Sequence, residues 1–111
     1  MYRYKAYGLR VNSEICIPEL LPSSHDTEDV RIQYGSVQRP HFSGSDERAR
    51  AERTPEGHTY YIKNIGGVCV EDGSVITMDP HPGSEEKGFR FLISGIALGL
   101  LLHQRGYTTL H

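Results

Sequence analysis

Six histidines are the side chains of this sequence best suited to chemistry, since imidazole binds metals and transfers protons near neutral pH. A protein zinc site needs several such ligands at characteristic spacings, for example two histidines at i and i+4 on a helix. The six do not fall at that spacing on a predicted helix or beside a second ligand in a recognisable motif: His25, His41, His58, His81, His103 and His111. We therefore predict no metal-ligating residue.

Three carboxylates follow His25 closely, at Asp26, Glu28 and Asp29, and such a group resembles an acid–base pair. A charged cluster in a loop is ordinarily a solvated surface with no pocket around it. The sequence also lacks a Gly-x-x-x-x-Gly-Lys-Ser/Thr motif, whose backbone amides and lysine hold transferring phosphates. We predict no catalytic and no cofactor-binding residue in this chain.

Charge and composition exclude two classes of partner. The net charge of -2 gives no basic surplus for a phosphate backbone, so we predict no nucleic-acid partner. The longest apolar run is too short to span a bilayer, and the first ten residues do not resemble a secretory signal. A cytoplasmic protein without a membrane partner is predicted, with Cys16 and Cys69 as buried strand side chains rather than a disulfide.

The elements that would position any site begin with strands. Alternating apolar residues predict strands at residues 29–34, 60–65, 68–70 and 75–78, and Asp72-Gly73 predicts a tight turn between the last two. The amino-terminal residues fit one strand that bends at Gly8 and again near Asn12-Ser13. After it, residues 17–22 read as an irregular crossing, because Pro18 and Pro22 interrupt a strand, with leucines that plug the core.

Residues 35–59 have few apolar side chains to offset the entropy of ordering their backbone, so a mobile loop is predicted there. Within it, residues 46–53 favour a solvated turn or a short helix. Residues 107–111 are β-prone and predict the start of another strand.

A long apolar helix is predicted after Ser84, its N-cap, and Gly106 is expected to end it. The fold class predicted for residues 1–111 is a single α+β domain, in which a mainly antiparallel sheet of about five strands packs on this helix. The helix is apolar on nearly every side, so residues off its main stripe are either contacts for a partner or buried within the domain. The candidate partner-contact residues are Phe91, Gly95, Leu98 and Leu102.

The stretch 91–111 resembles the segment of HPr-kinase-related bacterial serine kinases that directly precedes their nucleotide-binding domain. Its specific part is an apolar helix ending in His103-Gln104-Arg105-Gly106, followed by a strand with Leu110-His111. Weaker similarities are Tyr7-Gly8-Leu9, residues 17–20 and residues 70–73. Together they cover most of the chain outside residues 35–59.

The resemblance implies that this chain is the amino-terminal accessory or substrate-docking domain of an ATP- and magnesium-dependent serine kinase, not catalytic by itself. Residues 107–111 would then lead into a missing kinase domain. Implied partners are that domain or a second copy of the chain in a dimer, and a phosphoryl-acceptor protein or precursor peptide. The alternative is a free-standing protein- or peptide-binding module without kinase activity.

Overall fold

Eight strands hydrogen-bond into one mixed sheet with the order β3-β1-β2-β4-β8-β7-β6-β5. The computed structural model describes residues 1–42, 44 and 46–106. The strands are β1 Tyr2–Ala6, β2 Leu9–Ser13, β3 Leu21–Pro22, β4 Val30–Tyr34, β5 Ala49–Thr54, β6 Gly57–Ile62, β7 Gly66–Glu71 and β8 Val75–Pro80. The predicted strand 107–111 lies outside the described residues.

The prediction of a mainly antiparallel sheet of about five strands was wrong, because the sheet has eight strands and is mixed. β4 pairs in parallel with β2 on one side and with β8 on the other. All remaining pairs in the described sheet are antiparallel. The placement of one long helix at the carboxyl end agrees with the prediction.

The amino-terminal residues form a hairpin, β1–β2, instead of one bent strand. Its turn residues Tyr7 and Gly8 both have positive φ, at 54° and 77°. Tyrosine rarely adopts this conformation, so its presence does not signal a turn. β3 then pairs with β1 at the sheet edge, where Pro22 is tolerated, and Leu21 is 75% exposed rather than buried in the core.

Residues 49–54 form strand β5, so the predicted turn or short helix across 46–53 was wrong there. β5 pairs with β6 in a hairpin, with Ala51 opposite Tyr60. Backbone pairing with a neighbouring strand supplies the stabilisation that its polar side chains do not. The charges on Arg50 and Glu52 suit a strand at the open edge of a sheet. The mobility of residues 35–59 stays a prediction.

The hairpin at Asp72-Gly73 is confirmed, with Glu71 opposite Val75 across β7 and β8. Asp72 and Gly73 have φ of 51° and 63°. Two consecutive residues with positive φ give the turn whose twist matches that of the flanking strands. The strand prediction for 29–34 is likewise confirmed by β4.

The carboxyl-terminal helix runs through three segments: α-helical Glu86–Phe91, π-helical Leu92–Ala97 and α-helical Leu98–Gln104. It begins one residue later than predicted, because Glu85 and not Ser84 is the N-cap. Gly106 ends it as predicted: its φ is 83°, and its N–H donates to the His103 carbonyl at 3.0 Å. Within the described residues, none of the helical segments has the length and apolar character needed to cross a membrane.

The core lies between one face of the sheet and the helix. Tyr4 closes the side nearest the amino terminus, where its buried hydroxyl accepts the Ile17 N–H at 2.7 Å and holds residues 15–17 against the core. Of the two cysteines, Cys69 is buried as predicted but Cys16 is exposed. The sheet contributes Val11, Val30, Ile32, Val68, Val70, Ile76 and Met78 to the core, and the helix contributes Phe89, Leu92, Ile93, Ala97, Leu98, Leu101 and Leu102.

Candidate functional site

The four candidate partner-contact residues on the helix fall into two pairs. Phe91 is 65% exposed, and Gly95 is also exposed. Leu98 and Leu102 are only 2% and 5% exposed and belong to the core of this chain. For these two leucines, the alternative of burial within the domain describes the structure. Their contact with a partner stays a prediction.

The π-helical segment accounts for this division. Its hydrogen bonds span five residues instead of four, so each turn holds more residues and the faces after it are rotated relative to those before it. Ser94 lies inside this segment, and its hydroxyl donates at 2.9 Å to the carbonyl of Arg90 in the preceding α-helical segment. A helix counted at a uniform 3.6 residues per turn therefore misplaces Leu98 and Leu102, which lie beyond the segment.

The exposed residues Phe91 and Gly95 form a small apolar surface on the helix, which we name the helix patch. A Cβ atom on Gly95 would lie 3.6 Å from Cε2 of Phe91, so the ring lies beside the glycine one turn further along. The patch is flanked by Arg90, whose Nε lies 3.4 Å from Glu19 Oε1. Large aromatic side chains that are exposed on a rigid element are well suited to bury against a partner.

The carboxyl end of the helix is bonded to the sheet through Gln104. Its amide nitrogen donates to the Val70 carbonyl at 2.8 Å and lies 2.7 Å from His58 Nδ1. Its amide oxygen accepts the Gly73 N–H at 2.7 Å. One side chain thereby joins the helix to β6, to β7 and to the turn between β7 and β8.

Arg105 completes this connection, which we name the helix-end clamp. Its Nε donates to the Gly73 carbonyl at 2.6 Å, and a terminal nitrogen donates to the Asp29 carbonyl at 3.0 Å. Gly73 is needed for close approach as well as for its positive φ, because a Cβ there would lie 2.7 Å from Arg105 Cγ. The clamp fixes the position at which the chain leaves the helix.

Asp29 ties the clamp to the amino-terminal hairpin. Its carboxylate accepts from the Arg10 backbone N–H at 2.8 Å and from the guanidinium at 3.0 and 3.1 Å. These hydrogen bonds and the positive charge of Arg10 lower the pKa of Asp29 from 3.8 to about 2. The carboxylate is therefore ionised over the whole physiological pH range.

Two members of the carboxylate cluster near His25, Glu28 and Asp29, are paired with arginines. Glu28 pairs with Arg31 at 2.9 Å and accepts from Asn12 at 2.8 Å, and hydrogen bonding to Arg31 lowers its pKa. His25 Nε2 lies 2.8 Å from Asn12 Oδ1. Sequence patterns do not reveal the two contacts of Asn12, because His25 and Glu28 lie 13 and 16 residues from it in the chain.

The contact of His58 with Gln104 is likewise one that sequence patterns do not reveal. His58 lies 46 residues from Gln104, and no spacing rule connects the two positions. Across residues 1–42, 44 and 46–106, the structure does not gather three His, Cys, Asp or Glu side chains as a metal site would.

Comparison with known proteins found no family model, no curated protein and no solved structure that matches this chain.

Proposed function

We propose that this chain is the amino-terminal accessory domain of an HPr-kinase-like serine kinase and is not catalytic by itself. The observation that carries the proposal is the helix-end clamp. Gln104 and Arg105 belong to the stretch that resembles such kinases, and both side chains attach the helix end to the sheet by hydrogen bonds. A domain joined after this stretch would be held in a defined position.

The helix patch is the surface we assign to the adjoining kinase domain. Phe91 is exposed on the same helix whose end the clamp fixes, so a domain that follows the helix can fold back on it. In this arrangement the kinase domain binds ATP and magnesium, since the motif that cradles phosphates is absent from the present sequence. The accessory domain contributes to docking the phosphoryl acceptor, a protein or a precursor peptide.

The coding sequence that follows codon 111 gives the first test. A phosphate-loop motif within the next few dozen codons is expected. A stop codon at that point would overturn the proposal and favour a free-standing binding module.

The second test measures contact between the two domains, expressed as separate chains, by calorimetry. Phe91→Asp should weaken their association by about tenfold or more, because burying an aromatic side chain at an interface contributes at least about 1.4 kcal/mol. Leu21→Asp is the matched control, since Leu21 is 75% exposed on β3 at the far edge of the sheet. Equal weakening by both variants would contradict an interface at the helix patch.

Nucleotide binding by the present chain is the third test. We expect titration with Mg-ATP to give no saturable heat, because no backbone amide cradle or motif lysine is present in the sequence to hold the phosphates. Saturable binding at micromolar concentration would be incompatible with a purely accessory role.

A further inference from the structure

A cavity of about 370 Å³ lies beside Cys69, on the face of the sheet that points away from the helix. Val68 and Val70 belong to the core under the helix, so Cys69 between them points to the opposite face. Thr59 and Thr77 lie directly opposite Cys69 on the two neighbouring strands. These three residues line the cavity, which we name the Cys69 cavity.

A wall of the cavity is formed by residues 36–38, which follow β4 and cross this face of the sheet. The Gly35 N–H donates to the Met78 carbonyl at 3.0 Å, and the Val37 N–H donates to the Asp79 carboxylate at 3.0 Å. Val37 is itself only 7% exposed. The wall is therefore fastened to β8 by hydrogen bonds and packing, and the cavity is preformed.

Carboxylates give the cavity a negative potential. Glu56 and Glu71 line it, and none of the described residues that line it is a lysine or an arginine. Cys69 is 7% exposed, and its thiol donates to Glu71 Oε1 at 4.0 Å. Burial raises the pKa of this thiol, and the charges of Glu71 and Glu56 raise it further, so both carboxylates act on the interior.

Two hydroxyl groups of the cavity, those of Thr54 and Thr59, are oriented as acceptors. Thr54 donates its hydroxyl proton to the Gly57 carbonyl at 3.2 Å, and Thr59 donates to the Glu52 carbonyl at 3.3 Å. Their oxygen lone pairs are thereby left for a donor in the cavity. Acceptor oxygens and two carboxylates, without a basic side chain, favour a ligand that brings positive charge and N–H donors.

We propose that the Cys69 cavity binds an organic cation, namely an ammonium or guanidinium group on a short aliphatic chain. A cavity of about 370 Å³ is at the small end of the range for ligand pockets and accommodates such a slender group. The cation is either the end of a lysine or arginine side chain of a bound peptide or a free polyamine. This inference is independent of the kinase proposal, since the cavity and the helix patch lie on opposite sides of the sheet.

Cys69 provides the reporter for a direct test. In a Cys16→Ser variant, Cys69 is the only thiol of the chain. Its thiolate attacks the sulfenyl sulfur of a methanethiosulfonate reagent, forms a mixed disulfide and expels methanesulfinate. We compare a cationic and an anionic reagent of equal size, and divide each rate by the rate of the same reagent with 2-mercaptoethanol.

The cationic reagent should modify Cys69 about tenfold faster than the anionic one at low ionic strength, because the carboxylates concentrate cations in the cavity. The preference should largely disappear in a Glu56→Gln, Glu71→Gln variant. Comparing the two reagents on the same thiol cancels any change in the pKa of Cys69. A Glu85→Gln, Glu86→Gln variant carries the same change in net charge outside the cavity and should keep the preference.

Ligand binding is measured as protection of Cys69 against the neutral methyl methanethiosulfonate. Millimolar agmatine should slow the reaction in a saturable manner, whereas glutarate should not. Protection by Nα-acetyl-arginine amide as well assigns the cavity to a peptide side chain, and protection by agmatine alone assigns it to a free polyamine. The proposal would be overturned if neither cation protects Cys69, or if the cationic and anionic reagents modify it at equal normalised rates.

Discussion

Asp29 connects three parts of the chain through two different groups. Its carboxylate holds Arg10 of the β1–β2 hairpin, and its carbonyl accepts from Arg105 at the end of the helix. A surface ion pair usually contributes little to stability, but several hydrogen bonds to one ionised carboxylate are stronger than an isolated contact. We therefore expect Asp29 to matter for the attachment of both segments.

The low pKa of Asp29 gives stability a defined pH dependence. Folding lowers this pKa from 3.8 to about 2, so the stabilising contribution is present above about pH 4 and is lost as the pH falls through about 2. In urea titrations, the difference in unfolding midpoint between wild type and Asp29→Asn should be largest near neutral pH. It should decrease as the pH falls from about 4 to about 2. Asp26→Asn, an exposed neighbour, is the control. A gap that does not change with pH would refute the assignment.

Replacement of Gln104 tests the helix-end clamp. Gln104→Leu leaves the Gly73 N–H and the Val70 carbonyl without their partner. Loss of a partner from partly buried polar groups costs about 1–3 kcal/mol, so the free energy of unfolding should fall by that amount. Chemical denaturation measures it, with Gln38→Leu as the exposed control. Equal effects from the two substitutions would show that the clamp does not stabilise the helix end.

At the scale of elements, sequence patterns predicted correctly those elements that interactions between neighbouring residues determine. β4, the Asp72-Gly73 hairpin and the capped end of the helix carry their signals within a few residues, and the structure contains all three. β5 carries no such signal because it exists through pairing with β6. The π-helical segment carries no such signal either. Its effect is that Phe91 is exposed while Leu98 and Leu102 lie in the core, although a uniform helix would place all three on one face.

Amide exchange distinguishes strand β5 from the mobile loop that the composition suggests. The Lys63 N–H donates to the Arg48 carbonyl at 2.8 Å, which sets the even-numbered residues of β5 facing β6. The amides of Arg50 and Glu52 should therefore exchange slowly, and those of Ala51 and Arg53 quickly. Uniformly fast exchange over residues 49–54 would instead support a loop in solution.

At the scale of the whole molecule, β4 joins two antiparallel units. The β3-β1-β2 unit lies on one side and the β8-β7-β6-β5 unit on the other, and both contact β4 through parallel pairing. Parallel pairs require long connections, so these contacts join residues far apart in sequence. Short-range patterns could reveal hairpins within each unit but not the order in which the units assemble.

Leu98 is buried and Phe91 is exposed, so variants of the two residues test folding and association separately. Leu98→Asp should destabilise the fold by at least about 3 kcal/mol, because it replaces a core side chain with a charge. Phe91→Asp should leave the circular dichroism spectrum and the unfolding midpoint nearly unchanged, since Phe91 is exposed. Sedimentation of both variants shows whether any self-association depends on Phe91. A folded Leu98→Asp chain of native stability would contradict the core position of Leu98.

The helix-end clamp also determines how mechanical load passes through the molecule. Arg105 is bonded to the turn between β7 and β8 and to the residue before β4. A pull on the residues after Gly106 is therefore borne first by these anchor points in the sheet, and the last turn of the helix is shielded from it.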